Sequence, residues 1–180
     1  MDLKPEPSKT ECAPGQADAG LAFLLLRGWL GIRAVQTGIE KFSAFRTVQK
    51  PLVDPVTGME DPSGALVEVK EKFYALANYS GIPASLKDKF AAEPLLPQMA
   101  MRPFDKCLGP ALIATGLMLL LGLGTRVSLF AQGLIYIALS FGLILIKQDD
   151  GVAWLGIHVA LVALALLLAR HNRFAVLKKW

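Results

Sequence analysis

Arg27 and Arg33 lie inside an apolar stretch, Leu21–Lys41, that is long enough to enter a membrane. A charge at that depth costs about 3 kcal/mol or more unless it meets water, a partner or a headgroup. A guanidinium has five donors and no acceptor, so it could hold an oxyanion or bond free carbonyls. Further along, Gln132, Tyr136 and Ser140 recur at i, i+4 and i+8 in a second apolar block, and Trp154 and His158 stand one turn apart in the last. Tyr and His together could hydrogen-bond and proton-couple a quinone head group, which needs a donor at its carbonyls and a flat apolar slot. The candidate ligand-binding set is therefore Arg27, Arg33, Gln132, Tyr136, Trp154 and His158, with Gln36 and Ser140 nearby in sequence. The same residue types also make ordinary hydrogen bonds between membrane helices. Both arginines could equally snorkel to the nearer interface. Residue types alone leave these readings open.

The helices that must position these groups can be read from the spacing. At about 100° per residue, Arg27, Gly31, Ala34, Gly38 and Lys41 share one stripe of the first helix. Small residues there let another helix approach closely. Arg33, Trp29, Leu26 and Glu40 fall on roughly the opposite side. The stripe predicts that Arg27 faces other helices.

The chain has 180 residues, 53% of them hydrophobic, and a formal net charge of +4. Its mean hydropathy is +0.44. The apolar residues are gathered in four blocks with the charges between them, which is the pattern of an integral membrane protein. The predicted spans are about 19–41, 107–124, 126–147 and 151–170. The predicted fold is all-α: a membrane four-helix bundle occupying 19–170. Residues 1–18 are polar with three prolines and read as a disordered tail. No basic region leads directly into an uninterrupted apolar core with a cleavage site, so a cleaved signal peptide is not expected. The basic tail 171–180 and Arg126 place both termini in the cytoplasm of a plasma (inner) membrane by the positive-inside tendency.

Residues 42–105 form an extramembrane insert, expected outside the cell or in the periplasm. From Glu40 through Lys106 there are nine basic and nine acidic residues, so the insert is charge-balanced. Leu66, Val69, Phe73, Leu76 and Ala77 recur at helical spacing after Asp61-Pro62, which predicts an amphipathic helix over 61–77. Ser85-Leu86-Lys87-Asp88 resembles a capping box opening a second helix to about Ala92. Together these predict a small amphipathic helical cap between helices 1 and 2. Pro110 suits the first turn of the second span. Gly122-Leu-Gly-Thr-Arg126 reads as a tight turn.

Some chemistry is not expected. Cys12 and Cys107 are the only cysteines, with no CxxC and no His spacing, so neither a metal nor a dithiol site is predicted. No Ser-His-Asp set, phosphate loop or acidic metal cluster appears. The clustering of basic residues at the tail reads as a membrane-surface signal, not a nucleic-acid patch. The expected partners are the lipid bilayer and other membrane subunits. Whether the chain is an enzyme stays open.

Two stretches resemble a known family. LLLRGWLGIRAVQTGIEKF looks like the first helix of DoxX-type membrane proteins, with Arg27, Gly31, Gly38 and Lys41 matching its pattern. TGLMLLLGLGTR resembles the family's second-helix ending, with Gly116, Gly122, Thr125 and Arg126 in place. Where many members carry a Glu, the register here gives Leu112, and the first loop is longer than in the shortest members. The family is named for a relative of the membrane subunits of thiosulfate:quinone oxidoreductase, and other members are linked to membrane redox or thiol-stress complexes. The resemblance therefore implies a subunit or accessory of a quinone-linked redox system, with sulfur or thiol chemistry as one form of it. A quinone is the cofactor it would suggest. The other reading is a non-catalytic assembly or packing subunit of a larger membrane complex.

Overall fold

A computed structural model describes residues 14–53, 57–59 and 63–172. The elements in order are α1 (Pro14–Glu40), β1 (Ser43–Pro51), β2 (Leu66–Tyr74), α2 (Ala84–Ala92), α3 (Gln98–Leu121), α4 (Thr125–Leu145) and α5 (Asp149–Leu168). Among the described residues three segments, Met101–Leu121, Thr125–Leu145 and Asp149–His171, are long and apolar enough to cross a membrane; the predicted first span, 19–41, is not one of them. The chain is mostly helical, but the hairpin means that it is not all-α. It divides into two compact units: Met1–Val35 with Ala114–Trp180, and Gln36–Ile113.

In the first unit, Phe23, Leu30, Ala34, Leu119, Leu129 and Ala165 are sealed from solvent. Large apolar side chains elsewhere on the same helices stay exposed, including Leu25, Phe130, Phe141 and Leu167. In a lipid solvent that outward apolar surface is at no disadvantage. The glycine stripe of α1 packs as its spacing predicts. A Cβ on Gly116 would lie 2.9 Å from the Gly31 carbonyl oxygen and from the Val35 nitrogen, so α1 and α3 touch backbone to backbone there. The turn from α3 to α4 is tight because Gly122 and Gly124 both take left-handed backbone, φ 74° and 52°. Side chains rarely adopt that region, and glycine does so without penalty. The link from α4 to α5 is short as well, and the two helices pack together.

In the second unit, β1 and β2 pair antiparallel, with Arg46 opposite Glu71 and Ala44 opposite Phe73. This corrects the helix predicted over 61–77; its start, 61–62, lies outside the described residues, and Leu66–Tyr74 is a strand. The reason is a coincidence of periods. Leu66, Val69 and Phe73 fit a 3.6-residue repeat, but Leu-Val-Glu-Val-Lys-Glu-Lys-Phe-Tyr also suits a pleated ribbon, and Ser43–Pro51 supplies the partner. Lys50 Nζ sits 2.6 Å from Glu71 Oε1, and Arg46 is 3.5 Å from Oε2. The Lys50 ammonium, with Arg46 beside it, holds the Glu71 carboxyl below the ordinary range. Lys72 reaches Glu40 at the end of α1, 2.9 Å away, and that bond holds its ammonium above the usual value. The insert is thus a charge-laced hairpin followed by a short helix, not a helical cap.

α2 begins at Ala84 behind Pro83, with no side-chain cap bond. Ser85 therefore lies inside the helix, and the capping box does not form. α3 starts at Gln98, nine residues before the predicted span, so Pro110 stands mid-helix and not in a first turn. The charges Arg102, Asp105 and Lys106 read as loop in the sequence, yet they decorate a helix that runs on beyond the apolar block. α1 likewise begins at Pro14, within the segment expected to be a tail. Residues 1–13 and 173–180 lie outside the described residues, with most of the basic tail among them.

Candidate functional site

The first unit brings its polar residues into two clusters. Arg27, buried to 6% exposure, donates from Nε to the Leu119 carbonyl at 2.6 Å and from Nη2 to the Leu120 carbonyl at 2.7 Å. Its Nη1 lies 3.3 Å from Asn172 Oδ1. Leu119 and Leu120 stand in the last turn of α3, where carbonyls lose their helical partners and the helix dipole is negative. A planar fork with fixed donors matches two successive carbonyls; an ammonium cannot span them. Asn172 in turn donates from Nδ2 to Thr125 Oγ1 at 3.1 Å. Arg27 thus ties α1 to the end of α3, and through Asn172 to the start of α4.

The second cluster is on α4 and α5. Gln132, fully buried, donates from Nε2 to the Leu30 carbonyl at 3.1 Å and to the Tyr136 hydroxyl at 2.7 Å. The i, i+4 spacing puts both side chains on one face of α4. His158 stands edge-on to Tyr136, with ring centroids 5.5 Å apart. Its Nδ1 is 2.8 Å from the Trp154 carbonyl. A carbonyl only accepts, so Nδ1 carries the proton, and in the neutral ring Nε2 remains an acceptor. Ser140 turns its hydroxyl back to the Tyr136 carbonyl at 2.8 Å.

Two groups in this cluster have unused capacity. Gln132 Oε1 is buried and has no hydrogen-bond partner among the described residues. Beside it the Tyr136 hydroxyl accepts from Gln132, which leaves its own proton available. A spare acceptor and a spare donor thus adjoin in a buried place, with the His158 ring against Tyr136.

The candidate set is therefore only partly assembled. Gln132, Tyr136 and His158 come together, and Arg27 is buried in its own cluster. Arg33 and Gln36 are exposed on α1. The Trp154 side chain is 66% exposed, and only its backbone carbonyl takes part. An exposed Trp near the start of a membrane-length helix suits an interfacial anchor.

A third cluster, in the second unit, was not anticipated. The Tyr79 hydroxyl donates to the Asp105 carbonyl at 2.6 Å and accepts from the Gly109 N–H at 3.1 Å. Those two backbone groups would otherwise bond each other along α3. The tyrosine is inserted into the helix ladder one residue before Pro110, where the chain already lacks a donor. Asp105 Oδ1 accepts the Ile82 N–H at 2.6 Å, and Oδ2 pairs with Lys87 at 3.1 Å. Gly109 is needed because a Cβ there would press on the Tyr79 ring. Gly81 packs against Asp105 for the same reason. A Tyr, an Asp and two glycines spread over 79–109 give no local signal.

Comparison with protein-family models, with curated proteins and with solved structures finds no match to this chain.

Proposed function

We propose that the chain is a DoxX-like four-span membrane protein and a subunit or accessory of a quinone-linked redox system. The observation that carries the reading is the pair of Gln132 Oε1 and the Tyr136 hydroxyl, a spare acceptor beside a spare donor. A quinone carbonyl would accept a hydrogen bond from the Tyr136 hydroxyl, and a quinol hydroxyl would donate one to Gln132 Oε1. The His158 ring stands edge-on to Tyr136 beside this pair, with ring centroids 5.5 Å apart. Arg33 and Trp154 have no part in this version of the site. Sulfur or thiol chemistry rests on the family resemblance alone.

The test is retention of lipid-soluble quinone through purification in mild detergent, read by absorbance and by solvent extraction. Wild type should retain a quinone, and Gln132→Leu and Tyr136→Phe should each retain it about tenfold less tightly, the worth of one good hydrogen bond. Extraction of no quinone from wild type would overturn the reading.

The second reading, a non-catalytic packing or assembly subunit, is favoured by a separate observation. Arg27 spends its donors on backbone carbonyls and on Asn172, as a structural arginine would. In both readings α1 is the first of four spans and residues 42–105 lie on the far side of the membrane from both termini. Cysteines placed at Gly58 and at Lys179 should then react with an impermeant thiol reagent from opposite faces; reaction of both from one face would exclude four spans.

A further inference from the structure

The second unit holds a cavity of about 220 Å³ that the reading above does not use. With a water's share of volume at roughly 30 Å³, it has room for a phosphate group and the glycerol carbons next to it. Phe90, Ile82 and Met101 form apolar wall, and Lys87, Arg102 and Asp105 line the rest. Phe90 and Ile82 are buried, so that wall is firm.

The charges in it are unequal. Asp105 is already engaged through both oxygens, by the Ile82 N–H and by Lys87. Arg102 has no ion pair or side-chain hydrogen bond among the described residues. Two cations against one occupied carboxylate leave the cavity positive by one charge. The location matters as much as the sign. Met101 opens the membrane-length segment of α3, and Arg102 and Asp105 lie within about 6 Å of that opening along the helix. A membrane crossed by Met101–Leu121 would have its lipid headgroups at that opening.

We propose that this cavity binds the headgroup of an anionic phospholipid, with the phosphate on Arg102 and Lys87 and the first carbons of the lipid against Phe90 and Met101. A free guanidinium at headgroup depth suits a phosphate bidentately. The apolar wall distinguishes a lipid from a soluble anion, because only a lipid brings carbons to cover it. The proposal does not depend on quinone binding.

The test uses the full chain, delipidated in detergent and titrated with phosphatidylglycerol, phosphatidylcholine or inorganic phosphate under native mass spectrometry. Phosphatidylglycerol should fill one site more tightly than phosphatidylcholine does. Arg102→Gln should weaken it about fivefold, the effect of one interfacial cation. Lys87→Gln should weaken it as well. Arg126→Gln, an exposed arginine outside the second unit, should leave it unchanged. Equal binding of the two lipids would overturn the proposal. So would an equal loss in Arg126→Gln, or no loss in both Arg102→Gln and Lys87→Gln. Competition by inorganic phosphate as strong as that by phosphatidylglycerol would make the cavity a soluble-anion site and would also overturn it.

Discussion

Replacing Arg27 by Leu should lower the stability of the protein in detergent by about 3–5 kcal/mol, with the melting temperature falling by roughly 10 °C. The change removes the guanidinium donors from the Leu119 and Leu120 carbonyls, which Arg27 reaches at 2.6 and 2.7 Å, and leaves the Leu119 carbonyl with the Gly122 N–H at 3.2 Å. Those carbonyls close the last turn of α3, and no solvent replaces the guanidinium at a residue 6% exposed. Arg27→Lys should recover only part of the loss. An ammonium keeps the charge, but one nitrogen cannot reach both carbonyls and Asn172 Oδ1 together. Retention of any quinone should be unaffected in Arg27→Lys, because Gln132 and Tyr136 make no hydrogen bond to Arg27. Melting temperature and extracted quinone, measured on the same preparations, decide the point. An unchanged melting temperature in Arg27→Leu would mean that the hydrogen bonds to α3 carry no stability. Loss of quinone with the fold intact would make Arg27 a ligand residue.

The burial of Arg27 was legible because it shares a stripe with Gly31, Ala34 and Gly38, all buried. Its partners were not, since backbone carbonyls carry no side-chain signal and a freed carbonyl depends on where α3 ends. The apolar blocks behind α4 and α5 were legible for the plain reason that polar turns bound them. The inward face of α5 was not. α5 is apolar all round, so a wheel cannot choose its buried side, and the one-turn spacing of Trp154 and His158 does not tell that the Trp154 side chain is exposed while His158 is buried. The hairpin is not legible because Leu66, Val69 and Phe73 satisfy two periods, and the deciding fact is the pairing with Ser43–Pro51, whose paired residues lie 15 to 31 positions away. The Tyr79 insertion was beyond reach for a similar reason. It joins residues 26 and 30 apart in sequence, and nothing local to Tyr79 names Asp105 or Gly109.

Two alanine substitutions at glycines of the first unit should have opposite outcomes. Gly116→Ala should destabilise by about 2–3 kcal/mol, since overpacking a close helix contact forces a shift of backbone. The added Cβ would stand 2.8 Å from Val35 Cγ2, but the decisive contacts are the Gly31 oxygen and the Val35 nitrogen, both at 2.9 Å. A side-chain tip can rotate away; a main-chain atom moves only if the helix moves. α1 would have to draw off from α3, and Leu119 and Leu30, both sealed from solvent, would lose packing with it. Gly156 is the matched control. It is helical too, but nothing lies within 4 Å of its would-be Cβ. Gly156→Ala should be neutral or stabilising by up to about 1 kcal/mol, because alanine loses less backbone freedom in a helix than glycine does. Thermal unfolding of the two variants beside wild type makes the comparison, with the melting temperature of Gly116→Ala expected to fall and that of Gly156→Ala to hold or rise. If the two variants melt together, α1 and α3 are not in backbone contact at Gly31 and Gly116, and the small-residue stripe is a feature of composition only.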